Sequence, residues 1–577
     1  MKERKTPTLP EQAATPRSFW PAAGLLAVLV VMVQTRDIDR PYYGLHSWAA
    51  ASGSWAARCH VKYGWGYTKG VSTWAVGNPP PESPKRYYDH PQLAVNIRAL
   101  VLLVFGMHEW APRAYAMVLS LITMVLLMLI VRRLFSPAAA VLAGLFFAVF
   151  PITGYFAGTR HPDVMYLAGL WCYLVLIGAR GEGPRPGRRH YVILALALFG
   201  MLQTSWSGVF YAGTLFLHYG ARCIWRRQRP NVPLLVVLVV APAASLLLTL
   251  LIMLAGYGWD FGKIVALFTW RAGKGEMRQF DWGAWFETFW RHALSNFAWG
   301  ALLLCIGYHV ARWVLRWTEK KDTDLPLRFP SLWLFLMPGV FQVFILKGAL
   351  WKHQTWEMPF VSFVAVSAGL GVLLLWQLLR RADLRLAYGG AGAALAVSVV
   401  FCAVGVNDYF VRRWQTPHKI AMLKMLNRTI PPNQALLSFE PFMTDQHSAK
   451  GAFYRPEIAW YLDREILQPA TIEEVFARLN RPTAENPQVT WAGAARFLID
   501  RIEEYKDKGP VYLLPEYMAY TGRDGRRRSL GLAPLAQALE QKYPRIVTVP
   551  AFIPVRPGQV ASPAYYVYRV APAGLAP

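Results

Sequence analysis

The sequence has few cysteines and few acids. Five cysteines serve 577 residues; Cys172, Cys305 and Cys402 fall inside apolar runs, Cys223 ends another, and Cys59 stands alone in a long loop. Neither a disulfide framework nor a zinc spacing is present. Asp and Glu number 34 against 61 Lys and Arg, a formal charge of +27. That excess would suit nucleic acid if it formed one patch, but the bases sit between apolar runs, which argues against that partner. There is no internal repeat and no low-complexity segment. No cleavage site follows the apolar stretch from Phe19 to Val33: after Lys2, Arg4, Lys5 and Arg17 ahead of it comes Gln34-Thr35-Arg36-Asp37, not small residues. What is abundant is apolar surface, with 54% hydrophobic residues and 24 Trp. Such a composition points to a polytopic integral membrane protein.

A membrane span needs about 20 apolar residues, and about eleven runs qualify. They centre near Ala27, Met124, Phe147, Trp171, Ala197, Thr214, Pro242, Leu303, Leu336, Val366 and Leu395. The runs at Ala197 and Thr214 are separated only by Gln203-Thr204-Ser205-Trp206. Taken as two helices, they leave every strongly basic cluster on one side. These are Arg132-Arg133; Arg180, Arg185, Arg188 and Arg189; Arg222, Arg226, Arg227 and Arg229; Arg312, Arg316, Lys320 and Lys321; and Arg380, Arg381 and Arg385. The positive-inside rule places these clusters, with an N-terminal tail over residues 1–17, in the cytoplasm of a plasma (inner) membrane protein. The loops 35–113, 155–163, 256–292 and 347–358, and everything after about residue 406, then face outward.

The predicted fold is therefore a polytopic α-helical membrane domain of about 11 transmembrane helices, over residues 18–411, followed by an extracytoplasmic α/β domain over 412–577. In that last domain Thr471-Ile472-Glu473-Glu474 reads as a capping box and Pro534 opens a helix. Ala435–Phe439, Arg496–Ile499, Val511–Leu514, Ile546–Phe552 and Tyr565–Val570 read as strands. Arg526-Arg527-Arg528 reads as a solvated turn.

The residues that could carry chemistry collect on the outward face. Asp37 and Asp39 lie just past the first span, where a carboxylate can act as general base or metal ligand, or simply pair with Arg36 and Arg40. Asp89 and His90 precede Pro91 and a run, Ala94–Phe105, too short to span; they offer an acid/base or metal pair amid belt aromatics. Arg160, His161 and Asp163 lie where the third span meets the fourth, with capping as the competing role of Asp163. Lys347, Lys352 and His353 follow the ninth span and suit a phosphate at headgroup depth; snorkelling lysines are the alternative.

Taken together these residues resemble the GT-C glycosyltransferases, in particular the branch of protein O-mannosyltransferases and lipid A aminoarabinose transferases. The likeness rests on Asp89-His90-Pro91-Gln92-Leu93, Val104-Phe105-Gly106, Arg113, Pro151, Asp163 and Lys347-Gly348. It implies inverting transfer of a sugar from a polyprenyl-phosphate donor to a lipid, glycan or protein acceptor, with a first-loop Asp as base. It also implies Lys347, Lys352 and Arg160 as phosphate candidates, to which the outward-face reading adds His353 and Asp163, and it implies that Asp89, His90 and Asp163 shape the site or hold a divalent metal. The family's usual Asp-Glu pair falls on Ala49-Ala50 here, about nine residues before Arg58. Asp39 is accordingly the first candidate base, Asp37 its rival and His46 a third. Two alternatives stand beside this reading: a transporter or flippase for lipid-linked or anionic substrates, which would want internal symmetry and midplane charges, and a non-catalytic relative.

Overall fold

The computed structural model describes residues 18–178, 186–272, 280–318, 329–350, 353–412, 417–439, 456–479, 491–521, 527–550 and 564–571. Lys352 lies outside these, as do the tail 1–17, Arg180, Arg185, Lys320, Lys321 and Arg526. The chain divides into two compact units.

The first unit comprises residues up to Asp39, Tyr88–Ile97 and Val104–Phe410. Its helices, with those of the loop between, run α1 (Phe19–Thr35), α2 (Ser47–Thr68), α3 (Leu93–Phe105), α4 (Trp110–Leu134), α5 (Pro137–Val149) and α6 (Pro151–Tyr155). They continue as α7 (His161–Leu176), α8 (Arg188–Thr204), α9 (Ser207–Arg226), α10 (Val232–Gly256), α11 (Phe261–Arg271) and α12 (Trp282–Phe297). The last are α13 (Trp299–Thr318), α14 (Phe329–Ile345), α15 (Lys347–Leu350), α16 (Val361–Arg380) and α17 (Leu384–Val411). All eleven expected centres fall inside helices. Four stretches, Trp110–Leu134, Val232–Gly256, Gln354–Arg380 and Leu384–Val411, are by themselves long and apolar enough to cross a membrane.

Local chemistry explains where these helices start and how they meet. Ser136, Asn231 and Asp281 cap α5, α10 and α12 by accepting from the amides of Ala139, Leu234 and Ala284, each at 3.1 Å. The polar stretch at Gln203 breaks the chain into α8 and α9, as the basic loops require. Gln203 Nε2 then ties α8 to α10 through the Ser245 carbonyl and hydroxyl and the Thr249 hydroxyl, at 2.8, 2.9 and 3.1 Å. In an apolar interior such bonds hold helices that hydrophobicity alone would not order. The segment 256–292, expected to be a loop, forms α11 and most of α12 among its described residues. At Ala298, φ +62°, the chain turns so that α12 and α13 meet at 108°.

The second unit joins Arg40–Tyr87, Arg98–Leu103 and Val411–Pro577. It thus takes in much of the first loop, which position along the chain assigns to the membrane domain. Helix α2 packs on α19 (Pro456–Leu462), reached after α18 (Pro417–Thr429). Ser47 Oγ donates to Glu457 Oε1 at 3.0 Å, and Arg58 donates to the carbonyls of Ala459 and Trp460, both at 2.8 Å. Arg58 and Lys62 share Asp463 at 3.2 and 2.9 Å. The short strands β1 (Thr73–Trp74) and β2 (Lys85–Arg86) pair antiparallel.

The C-terminal part is α/β, as expected. Its strands are β3 (Leu436–Ser438), β4 (Ile466–Leu467), β5 (Val511–Pro515), β6 (Tyr517–Thr521), β7 (Arg527–Gly531), β8 (Arg545–Val549) and β9 (Tyr565–Arg569). The five-stranded sheet has the order β4-β3-β5-β9-β8, while β6 and β7 form a hairpin. Arg527 and Arg528 therefore lie on a strand, not in a turn. The capping box at the start of α20 (Ile472–Phe476) is present, with Thr471 and Glu474 bonded reciprocally at 2.7 and 3.2 Å. Arg496–Ile499, read as a strand, belongs to α21 (Ala492–Tyr505), which precedes α22 (Ala533–Glu540). The four-residue window hid a helical period: Ala494, Leu498 and Ile502 recur every fourth position and bury one face.

Candidate active site

The candidate residues of the first unit form four local groups. The first begins where α1 ends. Thr35 is the last helical residue, and the chain turns through Asp37, whose φ is +56°, so both carboxylates leave the helix on an exposed turn. Arg113, near the start of α4, donates to the Ile38 carbonyl between them at 2.8 Å and fixes the turn's backbone. Arg36 is directed elsewhere: it donates to Asn407 Oδ1 at 2.8 Å and lies over the Phe410 ring at 5.2 Å. Asp39 is exposed and has no hydrogen bond or ion pair among the described residues. An unengaged carboxylate on an anchored turn is suited to accept a proton.

The second group is buried. Arg160, 1% exposed, donates to Thr153 Oγ1 at 2.7 Å, stands 3.5 Å from Asp163 Oδ2 and lies over the Phe147 ring at 4.6 Å. Tyr211 of α9 donates to Asp163 Oδ1, and Gln34 of α1 donates to the Thr153 carbonyl at 3.0 Å. The neighbouring His161 is buried beside Tyr115, with ring centroids 5.4 Å apart. Arg160 and Asp163 thus neutralise each other and join α1, α6, α7 and α9. Buried charges are tolerated when paired in this way.

Asp89 is held by two other helices. Tyr257, just past α10, donates to its Oδ1, and Trp206, ahead of α9, donates to its carbonyl at 2.8 Å. Gly256 makes this approach possible, because a Cβ there would stand 2.3 Å from the Tyr88 ring. His90 beside it is exposed. Among the described residues no group of three His, Cys, Asp or Glu could hold a metal ion. With its carboxyl engaged by Tyr257, Asp89 offers with His90 an incomplete ligand set, and no chemical step below runs through a metal.

The fourth group surrounds Lys347. Its Nζ lies 4.1 Å from the Phe280 ring centroid and 4.4 Å from that of Trp282, so two rings flank the ammonium at the first turn of α12. Its carbonyl accepts from Trp285 Nε1 at 3.1 Å. His353 follows at the start of a short 3-10 helix, Gln354–Phe360. The sequence alone does not single out Tyr211, Tyr257, Trp206, Phe280, Trp282 or Trp285. Aromatics in or beside apolar runs look like belt residues, and no local spacing ties them to an acid or a lysine tens of residues away.

Residues 89–248 match the profile of a family described as dolichyl-phosphate-mannose-protein mannosyltransferase. No curated protein sequence matches the chain. Among solved structures the chain is similar to ArnT from Cupriavidus metallidurans bound to undecaprenyl phosphate. That match has 13% identity and a TM-score of 0.55, covering 96% of this chain and 98% of that one. It is also similar to the apo oligosaccharyltransferase of Archaeoglobus fulgidus, with 10% identity and a TM-score of 0.51, covering 90% and 75% respectively. At such identities the likeness is one of fold.

Proposed function

From a chain with the fold of the GT-C membrane enzymes, we propose a membrane glycosyltransferase that moves a sugar from a polyprenyl-phosphate donor to an extracytoplasmic lipid, glycan or protein acceptor. The exposed, unpartnered carboxylate of Asp39, on a turn anchored by Arg113, is the observation that carries this reading. Asp39 takes the proton of an acceptor hydroxyl; the oxygen attacks the anomeric carbon; the bond from that carbon to the phosphate oxygen breaks with inversion. The polyprenyl phosphate departs with the bonding electrons. Lys347 faces the charge developing on it, and a cation so placed stabilises the leaving oxygen more than the bound donor.

Lys352 and His353 join Lys347 as phosphate contacts in this proposal, and Asp37 stands next to Asp39 as the alternative base. Arg160 and Asp163 hold the helices around the site. The active face is extracytoplasmic, opposite the basic loops of the cytoplasmic side of a plasma (inner) membrane.

The test is turnover of a labelled polyprenyl-phosphate sugar by the purified full chain in detergent. Donor should be consumed, and Asp39→Asn should lower kcat by about 10²-fold or more, the contribution of a positioned general base. Wild-type turnover in both Asp37→Asn and Asp39→Asn would remove the proposed base.

A further inference from the structure

We propose that α12 positions Lys347 by holding both ends of the segment 347–357, and that Asn296 and Glu357 form the lock at its far end. The inference rests on the assignment of Lys347 to the donor phosphate.

At the near end, Trp285 Nε1 donates to the Lys347 carbonyl at 3.1 Å. The Trp285 ring is itself immobilised: it is 1% exposed, stacked on Phe289 at 5.7 Å and 8°, and set against Phe344 at 5.3 Å. Trp282, one turn earlier on the same helix, forms one wall of the box around the Lys347 ammonium. The backbone and the charge of Lys347 thus both refer to α12.

At the far end, Asn296 Nδ2 donates to the Gln354 carbonyl at 3.0 Å and to Glu357 Oε2 at 2.9 Å. Both Asn296 and Glu357 are 0% exposed. Tyr409 of α17 donates to Asn296 Oδ1 at 2.8 Å, which fixes the orientation of the amide, and Gln342 of α14 donates to the Trp356 carbonyl at 2.9 Å. Trp285 and Asn296 lie eleven positions apart on one helix, about 16 Å along its axis. A rigid helix that grips the chain at these two points sets where Lys347 stands. Asn296 and Glu357 are buried, bond to each other and act through Lys347, so their role is positioning, not catalytic.

Hydrogen exchange over residues 347–357, read with donor kinetics on the purified full chain, tests the lock. Asn296→Ala and Glu357→Ala should speed exchange in that segment, whereas Glu357→Gln, which keeps an acceptor for Asn296, should not. The two alanine variants should raise the donor KM and lower kcat, neither by more than Lys347→Ala does, because a displaced Lys347 serves both the bound donor and the departing phosphate less well. In a Lys347→Ala background Asn296→Ala should add nothing to KM, because both changes remove one interaction. Three results overturn the proposal: faster exchange with unchanged KM, KM penalties that multiply, or Glu357→Gln behaving like Glu357→Ala. If the wild-type chain consumes no polyprenyl-phosphate sugar, the functional assignment falls by itself. The exchange pattern and the binding of polyprenyl phosphate alone then decide the lock.

Discussion

Tyr211 donates its hydroxyl hydrogen to Asp163 while Arg160 stands on the other side of the same buried carboxylate, 3.5 Å away. Asp163 and Arg160 look from the chain alone like substrate-binding charges at a membrane boundary. Their bonds to Thr153, to Tyr211 and to each other also tie the helices together. Arg160→Ala should destabilise the protein by about 3–5 kcal/mol, since it strands a buried carboxylate. Tyr211→Phe should cost about 1–3 kcal/mol. Thermal unfolding in detergent checks both. A stable Arg160→Ala protein with lost donor affinity would return Arg160 to the phosphate site.

The aromatic box makes a separate prediction. Trp282→Ala removes one ring from the Lys347 ammonium, an interaction of about 0.5–2 kcal/mol. Donor KM should rise modestly in this variant and further in Lys347→Ala, with kcat falling in the latter. Equal donor kinetics in wild type and Lys347→Ala would remove Lys347 from the site.

Gly256→Ala is a small change with a large expected effect. The added methyl would meet the Tyr88 ring at 2.3 Å and push apart the contact between Tyr257 and Asp89. Overpacking of this kind costs about 1–3 kcal/mol. Thermal unfolding measures it, and an unperturbed melting temperature would show that Tyr88 simply swings away.

Stability should fall in acid in two windows. Burial lowers the pKa of His60, which is 0% exposed in the first loop, from 6.5 to about 4. The unfolded chain therefore takes up the proton first, and stability present above pH 6.5 declines as pH falls toward 4, by at most about 3 kcal/mol. Glu503 is held down to about 2 by hydrogen bonds from Lys506, Tyr543 and Lys542. Its contribution, present above pH 4.5, is lost as pH falls toward 2. Denaturant titrations at successive pH values should show the first window flattened in His60→Gln.

Much of the helical frame was legible because lipid and loop charge leave periodic, local signals. All eleven apolar centres lie in helices, and the polar break at Gln203–Trp206 divides α8 from α9 as the basic loops demanded. The Thr471–Glu474 capping box was equally local. Contacts between distant positions were not legible. Nothing near Ser47 in the chain announces Glu457, and nothing near Asp89 announces Tyr257. Helices α2 and α12 escaped because neither stretch is a continuous apolar run, although α12 carries the tryptophans that cradle Lys347.

Lipid mass spectrometry of cells with and without the protein tests the central claim most directly. Cells lacking it should accumulate a polyprenyl-phosphate sugar and an acceptor short of one sugar, and Asp39→Asn should fail to reverse this. Identical lipid and acceptor profiles in both cells, or full restoration by Asp39→Asn, would contradict it.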